Sequence, residues 1–252
     1  FNANHVDPPP FNDILRQEFM NDERNLRVAA YMASEEEVRT SIARTYGMIS
    51  FVDDAVGRIL AKLEALGLAE NTVVIFNSDH GDVMGDHGIM LKHCYHYEGL
   101  IRVPFIWADP DANDNGARTD LLSGTLDIGR TILSRAGLQP YHGMQGFDVV
   151  AAARSGEDLP RLGMVLEEDE LPYNGNCPQF TRTRSFVTGR WRLTYWLEDQ
   201  FGELYDRNED PEEINNLWNN PAAAGDKAEI LEMMMRERIA LEDMSPRAIY
   251  CA

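Results

Sequence analysis

"TVVIFNSDHGDVMGDHG", residues 72–88, carries the reading of the fold. "TVVIF", 72–76, is β-branched and apolar on consecutive positions, which predicts a strand covered on both faces, as in a parallel sheet. Directly after it the chain repeats Asp-His-Gly, at Asp79-His80-Gly81 and again at Asp86-His87-Gly88. A polar loop punctuated by glycine is ordinarily a turn. In open α/β sheets, however, ligands gather outside the carboxyl ends of strands, and Asp79 and His80 fall at such an end.

On the amino side, Ser34 and Glu37 have the spacing of a capping box. From there Val38, Ile42, Tyr46, Ile49, Val52, Val56, Ile59 and Leu63 recur at steps of three and four. That periodicity predicts one long helix with a buried face, closed by a left-handed cap at Gly67. On the carboxyl side, "VPFIW", 103–107, reads as a second strand, and "LDIGRTILSRAG", 126–137, as a helix. Helix, strand, loop, strand, helix describes an α/β layered sheet. Beyond about residue 155 the signals change. "RSFVTGRWRLTYW", 184–196, places two β-rich segments around Thr188-Gly189, and "GELYD" adds a short strand. A terminal helix is expected from Asp226 to about Asp243, with Ile230, Leu231, Met234, Ile239 and Leu241 as its apolar positions. The expected organisation is an α/β core over 1–155 and an antiparallel sheet with one helix over 156–252.

A chain of 252 residues with 44% hydrophobic content can bury a real core. Its formal net charge of −19 opposes nucleic acid and anionic membrane as partners, and no run of Lys and Arg offsets it. An anion site in such a chain needs its own local lysine or cation. Cys94, Cys177 and Cys251 are odd in number and lack CxxC spacing, so neither a disulfide framework nor a zinc ribbon is expected. No apolar run approaches the ~20 residues that span a bilayer.

The blocks "YGMISFVDDAVGRILAKLEALGLAENTVVIFNSDHGDVMGDHG", "LKHCYHYEGLIRVPFIW", "TGRWRLTYW" and "GELYDRNEDPEEINNLW" resemble, in order, the sulfatases of the alkaline phosphatase superfamily. That resemblance implies a partial alkaline-phosphatase-like sheet core. It implies that Asp79 and His80 are two ligands of a divalent cation, that Lys92 contacts the sulfate, and that His96 serves as general acid to the leaving oxygen. A carboxylate and an imidazole side by side can ligate a cation, and an ammonium suits a tetrahedral anion. Imidazole titrates near neutral pH, as a general acid requires. Asp86 and His87 are expected to shape the loop, and Arg102 to make a structural ion pair. His5, in "NANHVDPPPF", is similar to a family loop whose histidine approaches substrate.

Calcium is the cation that the resemblance implies first. Many relatives carry Asn where this chain has His80, and imidazole suits manganese or another transition metal better than calcium. The family's nucleophile is a formylglycine formed within CxPxR, N-terminal to these blocks, and that pattern does not occur in the sequence. Neither Cys94, in "CYHYE", nor Cys177, in "CPQFTR", matches it. The residues thus read as the later part of a sulfatase acting on a small-molecule sulfate ester through a covalent two-step hydrolysis, with this chain inactive alone. A phosphonate or phosphate ester hydrolase on the same scaffold is the alternative, as is a non-catalytic anion-binding module. The acidic stretch "EEDELPYNGNCPQFTR", 167–182, suggests a polar or cationic alcohol part of the substrate.

Overall fold

The computed structural model describes residues 34–88, 90, 92, 95–112, 116–170, 181–197 and 202–242. His5, Cys94, Cys177 and Cys251 lie outside them. The described residues group into two compact units, one ending at Ala117 and the other starting at Arg118.

In the first unit, helix α1 (Glu35–Ala65) starts at the expected capping box. Ser34 Oγ accepts from the Glu37 backbone N–H, while the Glu37 carboxylate accepts from the Ser34 N–H at 2.7 Å. Two otherwise unpaired groups of the first turn are satisfied reciprocally. The helix ends at Leu66, and Gly67 follows with φ +67°. Its apolar stripe is largely open, which corrects the expectation of a buried face. Val38 is buried, but Tyr46 and Ile59 are each 67% exposed, and Ile49 and Val52 are exposed as well. Periodicity marks a stripe that favours burial; it does not say what covers it.

Strands β1 (Val74–Asn77) and β2 (Phe105–Ala108) pair antiparallel, with Val74 opposite Ala108 and Asn77 opposite Phe105. This corrects the parallel arrangement that the apolar run suggested. A consecutive apolar run reports covered faces, not the direction of the neighbouring strand. Among the described residues between the strands only α2 (Glu98–Ile101), a single turn, is helical in the α sense, too short for a parallel crossover. Among the described residues β1 and β2 form a two-stranded sheet.

In the second unit, α3 (Leu126–Arg135) and α4 (Val149–Ser155) precede the meander β3 (Met164–Glu170), β4 (Thr181–Val187), β5 (Trp191–Trp196) and β6 (Gly202–Asp206). Each strand pairs antiparallel with the next. Helix α5 (Ala224–Ala240) lays Ile230 and Met234 against Phe186, Leu193 and Leu204. Hairpin, short strand and terminal helix thus stand where the residue pattern placed them, although Leu231 and Ile239 face outward.

Beside that apolar core lies a buried charge cluster. Arg192 donates to Glu203 at 3.0 Å, to Glu213 at 2.5 Å and to Thr194 at 2.8 Å, with its guanidinium 4.8 Å from the Tyr205 ring centroid. All four charged or aromatic side chains are buried, and burial pushes the Tyr205 hydroxyl well above its ordinary pKa. Glu213, with φ 57°, reaches the cluster from the turn after β6.

A second ion pair closes the β4–β5 hairpin onto β6. Arg190 holds Asp206 through Nε at 3.0 Å and Nη2 at 2.6 Å, and these bonds keep the Asp206 carboxyl below the usual aspartate pKa. A folded-state pKa lower than the unfolded one adds stability above about pH 4, which is lost as pH falls through the lower folded value. Asp206→Asn is therefore expected to flatten the acid limb of the stability profile. Urea titrations of wild type and variant between about pH 6 and pH 3 check this, and parallel profiles would contradict it.

Candidate active-site loop

The segment after β1 is held in place by its glycines. The Gly81 N–H donates to the Leu100 carbonyl at 2.7 Å, and a Cβ at Gly81 would lie 2.0 Å from the Gly99 carbonyl oxygen. Only a residue without a side chain allows that approach to α2. Further on, Gly85 takes φ +100°, and a Cβ there would lie 2.7 Å from the Val38 side chain, so the loop also abuts the first turn of α1. Buried His87 stacks on Tyr97, ring centroids 3.7 Å apart and planes 12° apart. His87 thus packs inside the loop, while the Asp79 side chain stands at its rim.

His80 is fixed by its neighbours. Its Nδ1 lies 2.7 Å from the Gly81 carbonyl, which can only accept, so Nδ1 carries the proton and Nε2 presents a lone pair. Nε2 is 3.4 Å from Asp79 Oδ2. Lys92 Nζ, which can only donate, lies 2.7 Å from the same Nε2. The Asp79 side chain is 82% exposed, and the backbone N–H of His80, 3.0 Å from Oδ1, is the main cause that keeps its carboxyl below the usual aspartate pKa. A carboxylate, an imidazole lone pair and an ammonium therefore meet at one open rim of the loop.

The other expected residues are placed differently. His96 is buried at 6% exposure between Tyr95 and Tyr97, which are buried too. Arg102 pairs with Glu98 one turn back, at 3.1 Å. His5, like most of the 167–182 stretch, lies outside the described residues. The direct Lys92–His80 contact was not among the sequence expectations. Residues twelve apart along a loop carry no pattern that announces such a contact.

Replacing Gly81 with alanine is expected to push the loop off α2 and swing the His80 ring, whose Nδ1 partner is the Gly81 carbonyl. A shifted imidazole ¹⁵N resonance of His80 in folded Gly81→Ala protein checks this, with a wild-type resonance as the contrary result.

The family model "Sulfatase" matches residues 1–138, more than half of the chain, and that for "N-sulphoglucosamine sulphohydrolase, C-terminal" matches 85–240. The chain belongs to the sulfatase family. It is 30% identical over 201 residues to a Δ4,5-hexuronate-2-O-sulfatase of Bacteroides thetaiotaomicron, covering 79% of this sulfatase chain and 41% of the relative. A solved 2-O GAG sulfatase superposes with a TM-score of 0.78 at 27% identity, over 94% of this chain and 51% of that one. A phosphonate monoester hydrolase of Agrobacterium radiobacter, at 24% identity, shares the fold with a TM-score of 0.74 over 84% of this chain and 44% of that one. The chain thus spans about half or less of the length of the proteins it matches.

Whether the loop suits a cation follows from its donors. Asp79 offers a charged oxygen and His80 the Nε2 lone pair on the same side, donors that fit part of a divalent-cation shell once Lys92 moves off the ring. Among the described residues no group of three His, Cys, Asp or Glu side chains could hold a metal ion.

Proposed function

We propose that this chain is the part of a sulfuric ester hydrolase that supplies two cation ligands, Asp79 and His80, and the sulfate-binding Lys92. The observation that carries this reading is the meeting of those three side chains within 3.4 Å of His80 Nε2, in a family whose relatives are sulfatases. When bound, the cation would supply positive charge for the sulfuryl oxygens. Asp79 and His80 would hold it, calcium by the family resemblance or manganese by the imidazole donor. The Lys92 ammonium would donate to the anion as negative charge grows on it, a role for a flexible point charge in an acidic chain. The formylglycine nucleophile would come from residues outside this chain, within a longer enzyme, so the 252-residue chain alone is proposed to be inactive. His96 and His5 remain proposed histidines of the leaving-group side, His96 reaching it only if Tyr95 and Tyr97 part around it.

Lys92→Ala in the full-length enzyme is expected to lower aryl sulfate turnover by about 100- to 1,000-fold, the scale for one lost charge-stabilising donor. Metal stoichiometry at saturation should stay that of wild type. Unchanged turnover would overturn the assignment of Lys92. A phosphonate or phosphate ester is the second reading, favoured by His80, since an imidazole donor suits transition metals. Turnover of aryl sulfate against phenyl phosphonate by one preparation separates the two.

A further inference from the structure

The lone pair of His80 Nε2 has two claimants. With Nδ1 donating to the Gly81 carbonyl, Nε2 is the single acceptor of the ring, and Lys92 Nζ lies 2.7 Å from it. A cation held by Asp79 and His80 would use that same lone pair. One nitrogen lone pair cannot both accept from an ammonium and coordinate a cation. We propose that Lys92 and the divalent cation alternate on His80, so that loading the cation releases the Lys92 ammonium from the ring and makes it available to the substrate anion. This rests on the reading of Asp79 and His80 as ligands, and adds to it an order of events: cation first, then anion. Lys92 is placed for such an exchange, being exposed, on a flexible stem and bonded to no other described group.

The imidazole makes the exchange obligatory. A carboxamide oxygen has two lone pairs and could accept from Lys92 while ligating the cation, so in His80→Asn the two claims no longer exclude one another.

The test uses Zn²⁺ as a diamagnetic probe and the imidazole ¹⁵N resonance of His80 Nε2, in wild type and Lys92→Met. Without the probe the two proteins should differ at Nε2, because only one has the ammonium donor. At saturation the two resonances should coincide. Calorimetry should show Zn²⁺ binding about tenfold tighter in Lys92→Met, the scale of one lost charged hydrogen bond. In the His80→Asn background the same change should gain only about two- to threefold, the share due to repulsion between exposed charges. An Nε2 difference that survives saturation, or an equal gain in both backgrounds, overturns the alternation while leaving the ligand reading intact. Zn²⁺ that leaves Nε2 unmoved in both proteins overturns the ligand reading, and the alternation with it. If His80→Asn does not fold, the resonance comparison alone decides.

Discussion

Asp79→Ala in a full-length sulfatase carrying this chain is expected to cost more than about 100-fold in cation affinity, since changes to residues that merely support a ligand already cost about 10–100-fold. Aryl sulfate hydrolysis should fall by more than about 1,000-fold with it, as a bound cation contributes several kcal/mol of charge stabilisation. The fold should survive. The Asp79 side chain is 82% exposed, and its partners are the adjacent Ser78 and His80 rather than a packed core. Metal analysis on protein with a wild-type melting curve therefore isolates the ligand role. A variant that keeps stoichiometric metal and normal turnover would refute it. The contrast with Lys92→Ala is part of the expectation, because one change removes the cation and the other removes a donor to the anion.

The second large effect is on stability. Arg192→Met is expected to destabilise the protein by about 3–5 kcal/mol, the cost of leaving a buried charge without its partner. Two carboxylates depend on this guanidinium, Glu203 from β6 and Glu213 from the following turn, and both are buried. Whole domains are stable by only about 5–15 kcal/mol, so the loss is a large fraction. Adding Glu203→Gln and Glu213→Gln to Arg192→Met should recover part of it, since neutral amides are less costly to bury than unpaired carboxylates. Urea unfolding of the three proteins measures the effect. A loss below about 1 kcal/mol in Arg192→Met would mean that the cluster contributes no more than an exposed ion pair.

Much of this was legible in the residues, for identifiable reasons. The Ser34–Glu37 box, the Thr188-Gly189 hairpin and the Asp-His-Gly loop at the end of β1 are local, and local chemistry determines them. The pairing of β1 was not legible, because an apolar run such as "TVVIF" carries no information about the direction of its partner. The open stripe of α1 was not legible either. Tyr46, Ile49 and Ile59 follow the spacing of a buried face, but whether that face is covered depends on residues distant in sequence. At the site, the family resemblance singled out Asp79, His80 and Lys92, and the structure brings these three side chains together. Their mutual contact depends on how the Gly81–Leu100 bond folds the loop, which spacing does not encode.

Asp79, His80 and Lys92 are proposed to form the cation-and-sulfate corner of a hydrolase. The most direct measurement is an anomalous-difference map from crystals of the full-length enzyme soaked with Mn²⁺ and inorganic sulfate. The expected result is a peak about 2.0–2.6 Å from both His80 Nε2 and an Asp79 carboxylate oxygen, with Lys92 Nζ on the sulfate rather than on the ring. A map with no peak at that pair, or with the cation held elsewhere while Lys92 stays on His80, would contradict it.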